Sequence, residues 1–314
     1  MTVRRPLIVS ALCALLLAST LPFIGTPAQA APTDADLAYR WAPVHYQDTA
    51  TSNYIGDYLA PVDYDGDWNT RNNWENLGAY QRGLVGTVYY SVVESPTHWF
   101  ISYGYFHAQD WKTFFPHEND MEGLLLTVRK DGTEYGAAEA MVTLAHDNFY
   151  SYVPAGGAYR DGRENIDGTL LMQVHDGAAH PTSFQETKGH GCYNWNGSSF
   201  PGGDGIVYYP SRSGGKVPTG GNDRAASYQL VDVFAAGGLW ARRSDPQTFG
   251  GWGSFAGDTG TTNAARAPWY WDDRTDGSDL QAGAINTNPA YLISVYFSNI
   301  GAFSLDYLRN PYRA

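Results

Sequence analysis

The chain has 314 residues, with 32 acidic against 20 basic side chains and a net charge of −12. That acid excess argues against a nucleic-acid partner. Only 17% of the residues are charged, against 35 Gly, 23 Tyr and 10 Trp, a turn-rich and aromatic-rich balance typical of β-proteins with long shaped loops.

The first segment reads as an export signal. Arg4 and Arg5 make a basic start, 7–17 is a short apolar run, and Ala28-Gln29-Ala30 is a cleavage signal, so 1–30 is assigned as a signal peptide. The twin arginines raise the twin-arginine route, but Pro6 and the strongly apolar run favour the general secretory one. The run is too short to span a bilayer, and no later segment is long and apolar enough for a transmembrane helix. The mature chain of about 280 residues is ample for one core. It is expected to be a secreted monomer folded as a single domain, 31–314. With Cys13 removed, Cys192 stands alone and no internal disulfide forms; its expected state is a buried small hydrophobe, the alternative a reactive or intermolecular thiol.

Along the mature chain, Thr33 followed by ADLAYRWA predicts a short capped helix ended by Pro43. The polar stretch 63–76 carries Asp63, Asp65 and Asp67 around Gly66, which invites a second calcium loop. The EF-hand spacing fails there, because the glycine comes too early and loop position twelve falls on Trp74, leaving an irregular calcium loop or a run of Asx turns. Segments 84–94 and 99–107 flank a Ser-Pro-Thr turn, and 122–130 and 137–146 flank Asp131-Gly132; each pair predicts a hairpin. Further strands are expected at 170–175 and 205–209, a long surface loop over 197–221, a helix over 228–242 and another starting at Asn288-Pro289. The fold class is mainly β, an antiparallel β-sandwich with a few flanking helices and long loops.

The sharpest chemical feature is Pro116-His117-Glu118-Asn119-Asp120-Met121-Glu122. Asp120 and Glu122, two apart at the start of a strand, point to one side, and His117 in the preceding turn can fold over the same point. Two carboxylates and an imidazole converging repel unless a cation joins them. The donor mix suits Ca²⁺ or Mg²⁺, though the imidazole admits Mn²⁺ or Zn²⁺, and Asp110 is the natural fourth ligand. His146 can approach the site from the neighbouring strand, although His146 and Asp147 face opposite ways and do not pair. His190 sits between two glycines in a turn. Trp269, Trp271, Asp272 and Asp273 form an aromatic and acidic cluster that reads either as a plug over the core or as a sugar platform.

This segment resembles the metal motif of the necrosis- and ethylene-inducing-peptide-like cytolysins, G-H-R-H-D-W-E, matching at His117, Asp120 and Glu122. Tyr103–Asp110 is similar to that family's upstream Y-x-W-Y-x-P-K-D, and 144–150 to its downstream S-A-H-G-x-Y-like stretch. The resemblance spans roughly 85–152. It departs at Pro116, Glu118, Asn119 and Met121, and the disulfide usual in those toxins cannot form. The polar stretch 63–76 together with HENDMEG is also similar to a group of bacterial exported proteins. The resemblance implies a metal site and a β-sandwich, but not toxicity. Three functions follow: cation-dependent binding of a glycan or lipid headgroup; metal-dependent hydrolysis of phosphoester or glycosidic bonds with His146 or His190 as acid or base; or a structural calcium alone. No G-x-S-x-G or H-E-x-x-H signature adds to the second.

Overall fold

The computed structural model describes Met1, residues 31–275 and residues 280–313; the assigned signal peptide lies outside these except for Met1. Among the described residues no helix is long and apolar enough to cross a membrane. Residues Pro32–Ala314 form one compact unit.

Helix α1 (Asp34–Trp41) starts where expected. Thr33 caps it, and the Asp36 carboxylate reaches back to the cap, while Leu37, Ala38 and Trp41 turn into the core. Strand β1 (Val44–Asp48) follows directly after Pro43. The stretch expected to be a calcium loop leads through the one-turn α2 (Asn73–Asn76) into the strand region. Next come β2 (Thr87–Glu94), β3 (His98–Asp110), β4 (His117–Arg129) and β5 (Ala137–Ala145), the sequential antiparallel run the turn signals predict, and then β6 (Asn148–Val153), a further antiparallel strand on β5. Both central strands are longer than expected, and β4 starts at His117, which pairs with Asp110 instead of lying in a turn.

The antiparallel sandwich is not what forms. One curled mixed sheet makes a half-barrel, joined by β7 (Arg160–Asp161) outside it, β8 (Gly168–Thr169), β9 (Met172–His175), β10 (Ala178–Gln185), β11 (Cys192–Asn194), β12 (Gly205–Pro210) and β13 (Ala226–Asp232). Its order is β11-β10-β1-β12-β13-β2-β3-β4-β5-β6-β8, with β9 on β10. Strand β1 runs parallel to β10, and β13 parallel to both β12 and β2. Residue patterning marks a strand but not its partner: β12 and β13 insert between β1 and β2, while β10 and β11 extend the sheet beyond β1. The helix expected over 228–242 is corrected by the same pairing: Tyr228 is buried in β13, and only Trp240–Arg242 make a 3₁₀ turn. The strand expected at 205–209 is β12, which lies within the stretch read as a surface loop and is a central strand beside β1.

Strand β3 is buried along its whole length because both faces are covered. Its odd-numbered side chains face the hollow of the half-barrel: the Tyr103 hydroxyl donates to Ala38 O of α1, and Tyr105 pairs with Ser183 Oγ of β10. Its other face packs on the late loops and on α3 (Ala284–Thr287) and α4 (Pro289–Tyr296), with Phe106 on Phe255 and Phe100 on Phe303. Helix α4 begins with Pro289 in its first turn, as expected. Gly123 lets the Trp271 indole lie close on that face; a Cβ there would stand 2.7 Å from the ring and 2.0 Å from Tyr103 O.

Candidate functional site

The hollow ends at a cleft of about 480 Å³ formed where β3 finishes, β4 starts and β5 finishes, walled opposite by residues 261–266. Asp110, His117, Asp120, Glu122 and His146 all line it. Regular strand alternation would put His117 and Asp120 on opposite faces. Asn119 takes φ +59, and its buried amide turns away to donate to Thr70 O and Ala256 O at 2.9 and 3.0 Å. Glu118 also faces away, so His117 and Asp120 share the cleft.

The far wall is tied down from the same strand. The Glu118 carboxylate accepts from the backbone N–H of Asp258 and Thr259 at 2.7 and 3.2 Å, and Thr261 N donates to Pro116 O at 2.9 Å. Gly260 makes that approach possible at φ +69, because a Cβ there would stand 1.9 Å from Pro116 O.

Within the cleft, Asp110 is 1% exposed. Its carboxylate sits 3.0 Å from Lys112 Nζ and 3.5 Å from His117 Nε2. Burial, reinforced by the Asp120 charge, pushes Asp110 above the usual carboxylate range. Asp120 Oδ2 accepts from His190 Nδ1 at 3.0 Å. Burial works to raise Asp120, but this bond and the imidazolium charge prevail and hold it down to about 2. Glu122 accepts one backbone N–H on each oxygen, from His146 at 2.7 Å and Cys192 at 3.1 Å, which ties β4 to β11 across the hollow. Burial nevertheless dominates there and pushes Glu122 up to about 7.

His146 is not a strand residue. It takes φ +59 in the turn after β5, with Nδ1 3.5 Å from Glu122 and Nε2 2.8 Å from Glu186. Those two carboxylates hold its pKa up to about 10. His190 is fully buried instead of displayed on its turn. It stacks on His107 with ring centroids 3.7 Å apart, and its Nε2 reaches Asp57 Oδ1 at 3.4 Å, an ion-pair contact without hydrogen-bond geometry. Desolvation opposes its charge, but the direct bond to Asp120 together with Asp57 holds the imidazolium up to about 10. Neither histidine is poised as a general base.

The other sequence candidates fall elsewhere. Trp269 and Trp271 are 4% and 1% exposed, so they plug the core and form no platform. The Trp271 indole N–H donates to Met121 O at 2.9 Å. Asp273 is buried, accepting from Phe149 N and the Tyr296 hydroxyl, while Asp272 lines a small hollow beside the main cleft. Asp65 and Asp67 cap backbone N–H groups of their own loop, and Asp65 also accepts from Asn76 at 2.6 Å, so the stretch is built on Asx turns. Among the described residues, three ligand atoms lie within 4.8 Å of one another at Glu75, Glu118 and Asp258, a group that could hold a metal ion. Sequence reasoning missed it because its members come from three distant segments. Lys112 and Glu186 were missed likewise; only their neighbours in space mark them. Cys192 is a free, buried thiol, pushed up by burial and by Glu122.

No protein-family model and no curated relative matches the chain. Among solved structures it is similar to necrosis and ethylene inducing protein 2 from the causal agent of cocoa's witches' broom disease, 13% identical over 64% of this chain and 76% of that one, with a TM-score of 0.34. It is similar to NLPPya in complex with mannosamine, 14% identical over 65% of this chain and 78% of that one, TM-score 0.31. The non-toxic HaNLP3 protein is 12% identical over 68% of this chain and 84% of that one, TM-score 0.36. These three are proteins of the necrosis- and ethylene-inducing kind.

Proposed function

We propose that the chain is a secreted, cation-dependent protein that binds a glycan or the polar headgroup of a glycolipid in the cleft at Asp110, His117, Asp120 and Glu122. One observation carries the reading: buried carboxylates on one wall face Thr261, Thr262, Asn263 and Arg266 across about 480 Å³. A dense set of hydroxyl, amide and guanidinium donors opposite partly uncompensated carboxylates suits a polyhydroxylated ligand.

The donor types suit a hard divalent cation, Ca²⁺ or Mg²⁺, which would draw together ligand atoms that are not grouped within 4.8 Å as those of Glu75, Glu118 and Asp258 are. Asp110 and Glu122 are both pushed up by burial, the cost that a bound cation offsets. Asp110, His117, Asp120 and Glu122 would hold the ion, which would leave positions for ligand hydroxyls. Lys112 and His190 supply the positive charge from the protein itself. Binding is favoured over hydrolysis because both ring nitrogens of His146 are engaged by carboxylates, Nδ1 at 3.5 Å from Glu122 and Nε2 at 2.8 Å from Glu186, and His190 is enclosed.

Titration calorimetry with Ca²⁺ and Mg²⁺, followed by a glycan array with and without EDTA, tests the reading. Mannosamine and glucosamine are the natural first soluble probes. One tight cation lost in Asp110→Asn/Asp120→Asn and kept in Glu75→Gln/Asp258→Asn is expected, with EDTA-sensitive array binding. Cation uptake that follows Glu75 and Asp258 instead, or turnover of a phosphoester or glycoside substrate, would overturn it.

A further inference from the structure

A second and wider cleft, about 820 Å³, shares no lining residue with the first. It lies where β12 ends at Pro210 and β13 starts at Ala226, beside Tyr39 of α1 and His175 of β9. The pairing of His45 with Tyr208 and of Asp48 with Gly205 puts it at the end of β1 and β12 opposite Asp48. Asp57 and His190, which back the first cleft, lie beyond that other end, with Asp57 Oδ2 accepting from Ala50 N just past Asp48.

Its wall is built. The Tyr39 hydroxyl donates to Asp176 Oδ2 at 2.5 Å, pinning the turn after β9 to α1. The Arg212 guanidinium carbon stands 4.1 Å from the Tyr39 ring centroid, and its Nη2 lies 3.4 Å from Asp36 Oδ1. Contact with the ring and with Asp36 holds the guanidinium at the cleft, where its other N–H groups can meet a ligand. Lys216 adds a second cation on the same cleft, and Ser211, Ser213 and Ser227 supply hydroxyls. The half-buried Tyr209 ring stands beside His175, whose Nε2 is anchored at Pro210 O, 3.1 Å away. Two basic side chains against one acidic is a local inversion on a chain with a net charge of −12.

We propose that this cleft is a second binding site, for an acidic saccharide that carries a carboxylate or sulfate. The anion would meet the edge of Arg212 and the Lys216 ammonium, the hydroxyls would meet the serines, and a sugar face would rest on Tyr209. A cleft this wide suits an oligosaccharide segment more than a compact metabolite. A planar guanidinium recognises a carboxylate or sulfate with two parallel charge-assisted hydrogen bonds, stronger than those that uncharged sugar hydroxyls accept.

The test uses the mature chain in EDTA, which removes any contribution of a cation at the first cleft. The probes are sized oligosaccharides, oligogalacturonate and heparin-derived, beside neutral chito-oligosaccharide of equal length. Titration calorimetry at low and at moderate salt should show the acidic probes binding at least tenfold tighter than the neutral one, with affinity falling as salt rises. Arg212→Gln/Lys216→Gln should lose that preference, and Tyr209→Ala should weaken both acidic probes. Equal affinity for acidic and neutral probes, retention in the double variant, or no binding of either acidic probe would overturn the proposal. Failure here leaves the cation-dependent reading of the first cleft standing, because that reading is scored on EDTA-sensitive binding.

Discussion

Asp120 and His190 make the site part of the core, and a double-mutant cycle on that pair measures how strongly. The His190 ring is fully enclosed and the Asp120 side chain is 9% exposed, so the 3.0 Å bond between them is a buried ion pair. Removing one partner of such a pair costs about 3–5 kcal/mol, because the survivor is left charged in a poor solvent. Asp120→Asn should fall near the lower end, about 3 kcal/mol, since Asp57 still stands 3.4 Å from His190. His190→Gln, which strands Asp120 and brings Asp57 no replacement charge, should cost about 4 kcal/mol. The double variant should lose less than the sum by about 2 kcal/mol. Urea denaturation in EDTA reads all four species without a cation on the carboxylate. Asp120, depressed to about 2, contributes stability that is complete above its ordinary range and lost as pH falls through about 2. His190, raised to about 10, contributes stability complete below its ordinary range and lost as pH rises through about 10. The coupling should therefore be constant between the ordinary carboxylate and imidazole values, from about 4 to about 6.5. Additivity within about 0.5 kcal/mol, or a coupling that fades across that range, would refute the ion-pair account.

Three further outcomes are expected. Gly260→Ala forces a Cβ onto Pro116 O, 1.9 Å away, at a φ of +69; it should cost about 2 kcal/mol in urea denaturation and weaken ligand binding in the first cleft, and a neutral result would show that the wall can shift freely. Phe114 and Phe115 are each 76% exposed on the loop before β4, and Phe115 lines the cleft; Phe114→Ser/Phe115→Ser should leave stability within about 0.5 kcal/mol and soluble-glycan binding intact, while reducing retention on glycolipid vesicles in a flotation assay. His45, buried and stacked 4.2 Å from Tyr105, is pushed down to about 3 by desolvation. The unfolded chain takes up that proton first, so stability should be full above about 6.5 and fall by up to about 1.4 kcal/mol per pH unit below it; His45→Gln should flatten that slope in urea melts, and an unchanged slope would locate the acid sensitivity elsewhere.

What could be read from residue order alone follows the range of the forces involved. The cap on α1 and the strands from 87 to 145 are set by neighbours a few residues away, so Thr33, Ser95-Pro96-Thr97 and Asp131-Gly132 announce them. Partner choice in the late strands depends on side chains more than a hundred residues apart, such as Val44 beside Thr182, and no local pattern encodes it. The site divides the same way. Asp120 and Glu122 share a wall because strand alternation is local, but His117 joins them only through the left-handed turn at Asn119. That turn is held by Thr70 O and Ala256 O from two other segments, and an asparagine alone does not reveal it. The aromatic cluster at Trp269 and Trp271 misleads as a platform for a related reason: amphipathic rings serve equally well at a surface or beneath one. The pair of facing glycines, Gly104 and Gly123, decides the matter by opening a seat for Trp271 on the sheet. The same indole then donates to Met121 O, between the two carboxylates that face the cleft. The plug therefore braces the backbone that aims Asp120 and Glu122 into the cleft.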